Sequence, residues 1–142
     1  MNKEKIKNIF NKIEEINPEY SLEKWVHKAG GLIRFIPNPS EKAQLSAIKE
    51  DPWSVKYIQN PTQKVQLAVV KKDGYLIEYI QNPSQKVQLA AVKEWGLSIE
   101  LIKNPSQEVQ LAAVEQNPLS IRYIENPTEA VKQSARSKGV NI

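Results

Sequence analysis

The sequence predicts an all-α fold, an α-solenoid of 22-residue helix-turn-helix repeats with an N-terminal capping helix. Two observations lead to this prediction. Residues 60–81 and 82–103 are identical at 14 of 22 positions, more than shared helix propensity produces. The pair Asn-Pro also recurs every 22 residues, at Asn38, Asn60, Asn82, Asn104 and Asn126. A constant period between about 20 and 50 residues is typical of stacked repeat units.

The chain divides into a short leading segment and a repeat domain. Residues 1–16 predict an amphipathic helix that covers the first copy, because one side of the helix is apolar. The apolar residues are Ile6, Ile9, Phe10, Ile13 and Ile16. Residues 17–142 form the helical repeat domain, with copies that start at residues 17, 38, 60, 82, 104 and 126. The copy at residue 17 is degraded.

Each copy carries two marks that predict a pair of helices. The first is Asn-Pro followed by Ser or Thr, in which Asn is expected to cap a helix and Pro to take its first position. The second is a Pro or Gly fourteen residues after the Asn, at Pro52, Gly74, Gly96 and Pro118. Since Pro starts helices and Gly ends them, each copy should contain a helix of about eleven residues and a shorter one of about seven.

A glutamine recurs inside the apolar run of the longer helix. At about 100° per residue, the apolar residues span an arc wider than the stripe of a surface helix, and the glutamine falls within it. We expect its amide to be hydrogen-bonded, to the adjacent copy's glutamine or to its Asn-Pro turn. Together with the capping asparagines, the recurring glutamines are predicted to form a structural ladder that sets the register between copies. The members are Asn38, Asn60, Asn82, Asn104, Asn126, Gln44, Gln66, Gln88 and Gln110.

The shorter helix of each copy contributes apolar residues to the core. The pairs are Val55 and Ile58, Ile77 and Ile80, Ile99 and Ile102, and Ile121 and Ile124. Leu101 is also expected to be a core residue, as are Tyr57, Tyr79 and Tyr123, whose hydroxyl groups reach the edge. In the last copy Gln133 and Arg136 replace apolar residues, and Gly139 ends the helix, as expected for a terminal cap. The solenoid is therefore predicted to be capped at both ends.

The repeat unit resembles a known family. The segments AVKEWG at residues 91–96, VKKDG at 70–74 and VEQNP at 114–118 are similar to the AVKQNG phrase of short α-helical tandem repeats of bacteria and phages, a family of unknown function. The resemblance covers residues 38–138 and implies the repeat fold, but it implies no activity, cofactor or catalytic residue. The stacking also resembles HEAT and armadillo arrays, whose repeats are about twice as long.

The composition offers little for catalysis. The chain has no cysteine, so no disulfide or thiolate metal site can form. His27 is the single histidine and is interpreted as a surface or packing residue. The sequence contains no glycine-rich phosphate loop and no metal-ligand spacing. We therefore predict no enzyme activity, no catalytic residue, no metal site and no cofactor.

The same composition predicts a protein of the cytoplasm. No run of about 18 apolar residues occurs, so we expect no membrane segment. The charged N-terminus is unlike a secretory signal. The abundance of Lys, Asn and Ile is typical of an AT-rich genome, so the predicted compartment is the cytoplasm of a bacterium or of a phage-infected host.

A grid of lysines on the outer side of the longer helices is the candidate binding face. The net charge is +4, from 20 Lys and Arg against 16 Asp and Glu. Three copies carry two lysines seven residues apart on one helix face, namely Lys42 and Lys49, Lys64 and Lys71, and Lys86 and Lys93. The next copy has Glu108 and Glu115 there. Such a face suits binding to phosphates or to an acidic protein surface. The alternative interpretation is that the lysines are a solvent-exposed helix face that was duplicated with the rest of the repeat.

The candidate aromatic anchors lie where the copies differ. The start of the shorter helix carries Trp53, Tyr75, Leu97 or Leu119, and Trp95 precedes one such start. Trp and Tyr are favoured anchors in protein interfaces. Trp53, Tyr75 and Trp95 are therefore candidates for contact with a partner.

These features predict a non-enzymatic protein-binding repeat module, a monomer that acts as an adaptor or as an inhibitor by surface occlusion. Two alternatives stay open. One is nucleic-acid binding through the lysine-rich outer face, and the other is a phage-encoded inhibitor of a bacterial defence protein of the CRISPR type. The prediction that the partner is a protein rests on analogy with other solenoids, whose long exposed surfaces suit protein binding.

Overall fold

The repeating unit is an α-helix followed by a 3-10 helix. The computed structural model describes residues 3–16, 26, 29–36 and 38–142, and every regular element in these ranges is helical. The α-helices are α1 (Lys3–Ile16), α2 (Glu41–Glu50), α3 (Gln63–Val70), α4 (Gln85–Glu94), α5 (Gln107–Gln116) and α6 (Glu129–Ser137). The 3-10 helices are η1 (Gly30–Phe35), η2 (Pro52–Tyr57), η3 (Gly74–Tyr79), η4 (Gly96–Leu101) and η5 (Pro118–Tyr123). The predicted all-α repeat solenoid is confirmed.

In the five copies that start at residues 17 to 104, the shorter helix is a 3-10 helix of six residues, as η3 illustrates. Leu76 and Ile77 are buried, whereas Tyr75 and Glu78 are exposed. Residues three apart eclipse each other in a 3-10 helix, so Tyr75 and Glu78 share one solvent-facing side. The backbone is extended at Ile80, whose N–H donates to the carbonyl of Ile77 at 3.0 Å. Two turns therefore suffice to bury two consecutive residues before the chain turns toward the next α-helix.

In four copies the side chain of the Ser or Thr after Asn-Pro caps the longer helix, so the prediction that Asn caps it is wrong. Ser40 Oγ accepts the N–H of Ala43 at 3.2 Å, and Thr128 Oγ1 accepts that of Val131 at 3.4 Å. The asparagine instead adopts the left-handed conformation, which Asn tolerates better than most residues. The φ values are 71°, 51°, 48° and 50° at Asn38, Asn60, Asn82 and Asn104. Asn and Pro therefore form the turn that precedes the α-helix.

The recurring glycine is required by close packing, and not by the end of an α-helix as predicted. Gly74 and Gly96 are the first residues of η3 and η4. A Cβ atom on Gly74 would lie 2.3 Å from the carbonyl oxygen of Ala91, and one on Gly96 would lie 2.6 Å from that of Ala113. Gly30 approaches Ala47 in the same way, at 2.6 Å. The start of one 3-10 helix therefore rests directly on the α-helix of the next copy.

The chain forms two compact units, Met1–Val65 and Gln66–Ile142. In the first unit, α1 contacts η1, and η1 packs on α2 and η2. The apolar side of α1 is only partly covered, because Ile9, Ile13 and Ile16 are exposed. Trp25, His27 and the start of the copy at residue 17 lie outside the described residues.

In the second unit each helix packs on its counterpart in the next copy. Helix α4 packs on α5 and α5 on α6, while η3 packs on η4 and η4 on η5. Val87, Ala91 and Val92 of α4 are fully buried, as the wide apolar arc predicts. Across both units the expected core residues of the 3-10 helices are also buried, namely Val55, Ile58, Ile77, Ile80, Ile99, Ile102, Ile121 and Ile124.

The repeated glutamine bonds the turn of its own copy, not a neighbouring copy as predicted. The Nε2 atoms of Gln44, Gln88 and Gln110 donate to the proline carbonyl five residues earlier, at 2.9, 3.0 and 3.1 Å. Gln44 and Gln110 are buried, and Gln66 and Gln88 are half-buried. The glutamine therefore points inward, as expected, and ties the Asn-Pro turn to the following helix.

The last helix ends as predicted, at a glycine. Gly139 has a φ of 85°. Its N–H donates to the carbonyl of Arg136 at 2.9 Å, and that of Val140 donates to the carbonyl of Ala135 at 3.1 Å. Such paired bonds around a left-handed glycine form a common C-terminal helix cap. Gln133 and Arg136 are exposed, so their polar side chains replace apolar ones on a face that solvent reaches.

Candidate interaction surfaces

The candidate sites are two surfaces, the lysine-bearing side of the α-helices and the solvent-facing side of the 3-10 helices. In the described ranges, no three His, Cys, Asp or Glu side chains are grouped to hold a metal ion. No helix described there is long and apolar enough to cross a membrane.

Three of the six predicted lysines surround one shallow depression in the first unit. Lys42 and Lys49 lie on α2 and are exposed, and Lys64 lies in the first turn of α3. Leu45 and Ser46 form the floor between Lys42 and Lys49, in a depression of about 310 Å³. The structure therefore places positive charge around a small apolar floor.

One of these lysines is partly neutralised by a carboxylate at the rim. Lys64 Nζ lies 3.4 Å from Glu41 Oε1, and the hydroxyl of Thr62 donates to Glu41 Oε2 at 2.6 Å. The Thr62 hydrogen bond, followed by the Lys64 contact, lowers the pKa of Glu41 below its usual value. Glu41 therefore stays ionised at neutral pH. Two lysines of the depression, Lys42 and Lys49, form no ion pair with a carboxylate of the described residues.

In the second unit the lysine-bearing helix lies beside an acidic one. Lys86 and Lys93 are exposed on α4, and Lys71 follows the end of α3. The packed neighbour α5 carries exposed Glu108 and Glu115 at the equivalent positions. The side-chain amide of Gln85 on α4 donates to Glu108 at 2.6 Å. Opposite charges on adjacent helices reduce the positive potential that a polyanion would meet here.

The second surface, which we call the 3-10 face, belongs to the second unit. It consists of the second, fifth and sixth residues of η3, η4 and η5, which are Tyr75, Glu78, Tyr79, Leu97, Glu100, Leu101, Leu119, Arg122 and Tyr123. Because the three helices pack in sequence, equivalent residues form rows across this unit. Tyr75 and Leu119 are 43% and 46% exposed at the ends of one row. The first unit has a counterpart of Tyr75 in Trp53, which is also exposed.

The tyrosines at the sixth position are exposed, so the prediction that they are core residues is wrong. Tyr57, Tyr79 and Tyr123 are 37%, 38% and 45% exposed. The buried neighbours are the residues two before and one after each tyrosine. At about 120° per residue, the sixth residue of a 3-10 helix lies in line with the third, which is buried in these helices. The twist of the helix therefore does not explain the exposure of the tyrosines.

Trp95 occupies a position that three other copies use to cap the 3-10 helix, whereas Ala29 of the first copy makes no side-chain cap there. Asp51, Asp73 and Asn117 stand there and accept the N–H two residues later, at 3.0, 2.9 and 3.0 Å. Trp95 makes no such bond, and 51% of its surface is exposed. This copy therefore carries a large apolar side chain where those three carry a small capping group.

A glutamine from the next copy supplies hydrogen bonds on either side of Trp95. Gln116 Oε1 accepts the N–H of Gly96 at 2.7 Å, and its Nε2 donates to the carbonyl of Glu94 at 3.5 Å. The backbone that flanks Trp95 is thus held by Gln116 while the tryptophan ring remains at the surface. The candidate anchor Tyr75 belongs to the 3-10 face, and Trp95 directly precedes η4, which contributes to that face.

Comparison of the chain with family models, with curated proteins and with solved structures gives no match. The resemblance to AVKQNG-type repeats therefore stays a prediction.

Proposed function

We propose that this chain is a non-enzymatic protein-binding repeat module whose contact surface is the 3-10 face together with Trp95. The observation that carries the proposal is the exposure of Trp95 at a capping position. A capping side chain stabilises a helix start by about 1 kcal/mol. Its replacement by an exposed tryptophan removes that contribution and leaves apolar surface in water.

The surroundings of Trp95 support the same proposal. Tyr75, Tyr79, Leu119 and Tyr123 are each more than a third exposed on the same unit. Aromatic side chains bury a large area with few rotatable bonds, and for this reason they dominate the binding energy of many protein interfaces. Clustered exposed aromatic residues mark interaction sites more often than scattered ones do.

The test is capture of partners from a host lysate by the tagged full chain after nuclease treatment. Trp95→Asp installs the residue that the second and third copies carry, so the variant keeps a capped 3-10 helix. We expect it to weaken the captured complex by about 10- to 100-fold, the usual effect of removing an anchor. Lys86→Glu with Lys93→Glu is the control on the α-helical side, and it should leave capture unchanged. Equal capture by Trp95→Asp and the wild type would refute the proposal.

Binding of single-stranded nucleic acid is the second candidate, and the lysine-lined depression of the first unit favours it. If Lys42, Lys49 and Lys64 each contact one phosphate, the affinity for a single strand should fall about 20-fold when the salt concentration rises from 50 to 200 mM. Fluorescence anisotropy with a labelled single strand measures this slope. Charge reversal of the three lysines should abolish binding, whereas Lys56→Glu on η2 is the matched control. A flat salt dependence would exclude this candidate.

A further inference from the structure

The first unit contains a pocket that belongs to neither candidate surface. Residues of α1, of η1, of the end of η2 and of the Asn-Pro turn at Asn38 line it, and its volume is about 290 Å³. Pockets that bind small molecules have volumes of about 300–1,000 Å³. This pocket therefore suits a ligand at the small end of that range.

Two cations from different elements line this pocket, Lys7 of α1 and Arg34 of η1. Lys7 is half-buried, and Arg34 is exposed. Within the described residues, no carboxylate forms an ion pair with either cation. Glu4, three residues before Lys7, is the one carboxylate among the described residues of the lining, and it is exposed. The lining therefore has one net positive charge, and its two cations are available to a ligand.

Two aromatic rings hold the guanidinium group of Arg34 in place. Its Cζ atom lies 4.7 Å from the centre of the Phe35 ring and 5.8 Å from the centre of the Tyr57 ring. The Tyr57 ring in turn lies 5.1 Å from Nζ of Lys56. A guanidinium that lies over ring faces keeps the N–H groups along its edge available as donors. Because the ring contacts already favour one position of this long side chain, less conformational entropy is lost when those donors bind a ligand.

The chemistry of these groups selects an oxyanion as the ligand. A guanidinium presents paired N–H groups that match two oxygens of a phosphate or a carboxylate, and an ammonium adds a point charge with three further donors. A cationic ligand would be repelled by the net charge of the lining. A purely apolar ligand would cover the edge of Arg34 and leave its N–H groups without an acceptor, which is unfavourable.

We propose that this pocket binds an oxyanion, a phosphate or carboxylate group of a small ligand, through Arg34 and Lys7. The edge of Arg34 donates to two oxygens of that group, Lys7 supplies the second positive charge, and Phe35 and Tyr57 position the guanidinium. Glu4 opposes binding by repulsion. The site shares no residue with the lysine-lined depression of the same unit or with the 3-10 face, so the proposal goes beyond the proposed function.

The experiment titrates the isotope-labelled full chain with inorganic phosphate and follows it by nuclear magnetic resonance, with the ionic strength held constant by sodium chloride. We expect saturable shifts of the Arg34 side-chain N–H and of the η1 amides, with a Kd on the order of 1–10 mM, as a few charge-assisted hydrogen bonds would give. Acetate in a parallel titration distinguishes the two sources of the anion. The anion that binds more tightly names the group, and either order supports the site. Failure of both anions to saturate these signals would overturn the proposal.

Three variants test the role of the named side chains. Arg34→Lys keeps the charge but loses the paired donors, so it should weaken binding about tenfold. Arg122→Lys is the matched control, because Arg122 is the fifth residue of η5 as Arg34 is of η1, and it should bind normally. Glu4→Gln removes the opposing charge and should strengthen binding about two- to threefold, a gain that a folding defect cannot imitate. Wild-type affinity in Arg34→Lys, or no gain in Glu4→Gln, would count decisively against the site.

Discussion

Replacement of Gly74 by alanine tests the packing between copies most directly. The new Cβ would lie 2.3 Å from the carbonyl oxygen of Ala91, 3.2 Å from its carbon and 3.1 Å from Ser98 Oγ. The nearest atoms belong to the backbone of α4, and Ala91 itself is fully buried. The chain therefore cannot relieve the overlap by rotating a side chain. Either η3 or α4 must shift, which disturbs the contacts between two copies.

The change that Gly74→Ala makes in the free energy of unfolding follows from two opposed effects. At an unstrained position, Gly→Ala stabilises a protein by about 0.4–1 kcal/mol through the unfolded chain. Overpacking a buried contact costs about 1–3 kcal/mol, and more when the backbone must move. The steric effect is larger, so we expect Gly74→Ala to lower the free energy of unfolding by about 1–3 kcal/mol.

Urea unfolding followed by circular dichroism measures this loss. Gly31→Ala is the matched control, because a Cβ on Gly31 meets no atom of the described residues within 4 Å. The control should be as stable as the wild type, or up to about 1 kcal/mol more stable. If Gly74→Ala unfolds at the same urea concentration as Gly31→Ala, the argument that the glycine is retained for close packing is wrong.

Three further predictions concern single polar groups. Ser98 Oγ is buried without a hydrogen-bond partner in the described structure, so Ser98→Ala should raise stability by about 1 kcal/mol in the same urea assay; a loss of stability would reveal a partner for the hydroxyl. Gln116→Ala removes the acceptor of the Gly96 N–H and should cost about 1 kcal/mol, whereas an unchanged midpoint would mean that water replaces it. Thr62→Val removes the hydroxyl that donates to Glu41 and should raise the pKa of that carboxyl toward its usual value, as measured by nuclear magnetic resonance. Because the folded pKa of Glu41 is lowered, its contribution to stability is present at neutral pH and is lost as the pH falls through that pKa; a pKa that stays low in the variant would count against the hydroxyl as its main cause.

The sequence predicts the repeat and its helices because both depend on local patterns. A period of 22 residues, apolar residues at helical spacing and the two punctuation marks are all readable along one chain. The burial of Val87, Ala91 and Val92 followed from their angular positions. The same reasoning placed Gln88 on the inner side, although its partner, the carbonyl of Pro83, lies within its own copy.

The candidate sites could be predicted only in part. Trp53, Tyr75 and Trp95 were singled out because they vary between copies, and all three are exposed. Tyr79 and Tyr123 were assigned to the core because apolar core residues flank them, yet both are exposed. The lysines were placed on the outer face, yet the pairing of Lys64 with Glu41 joins residues that lie in different copies.

By itself, the sequence determined the all-α class, the length of the repeat and the β-branched residues that each 3-10 helix buries, because these follow from periodicity and intrinsic preference within a few turns. Tertiary structure alone decided which groups hold each turn and which side chains reach solvent. Asn82 adopts a left-handed turn although its type also suits a cap. Gly74 is required by an atom seventeen residues away in the next copy, the carbonyl oxygen of Ala91. Trp95 can do without a cap because Gln116 from that next copy bonds the backbone beside it. Such contacts depend on how closely copies stack, which is a distance between chain segments that no local pattern contains.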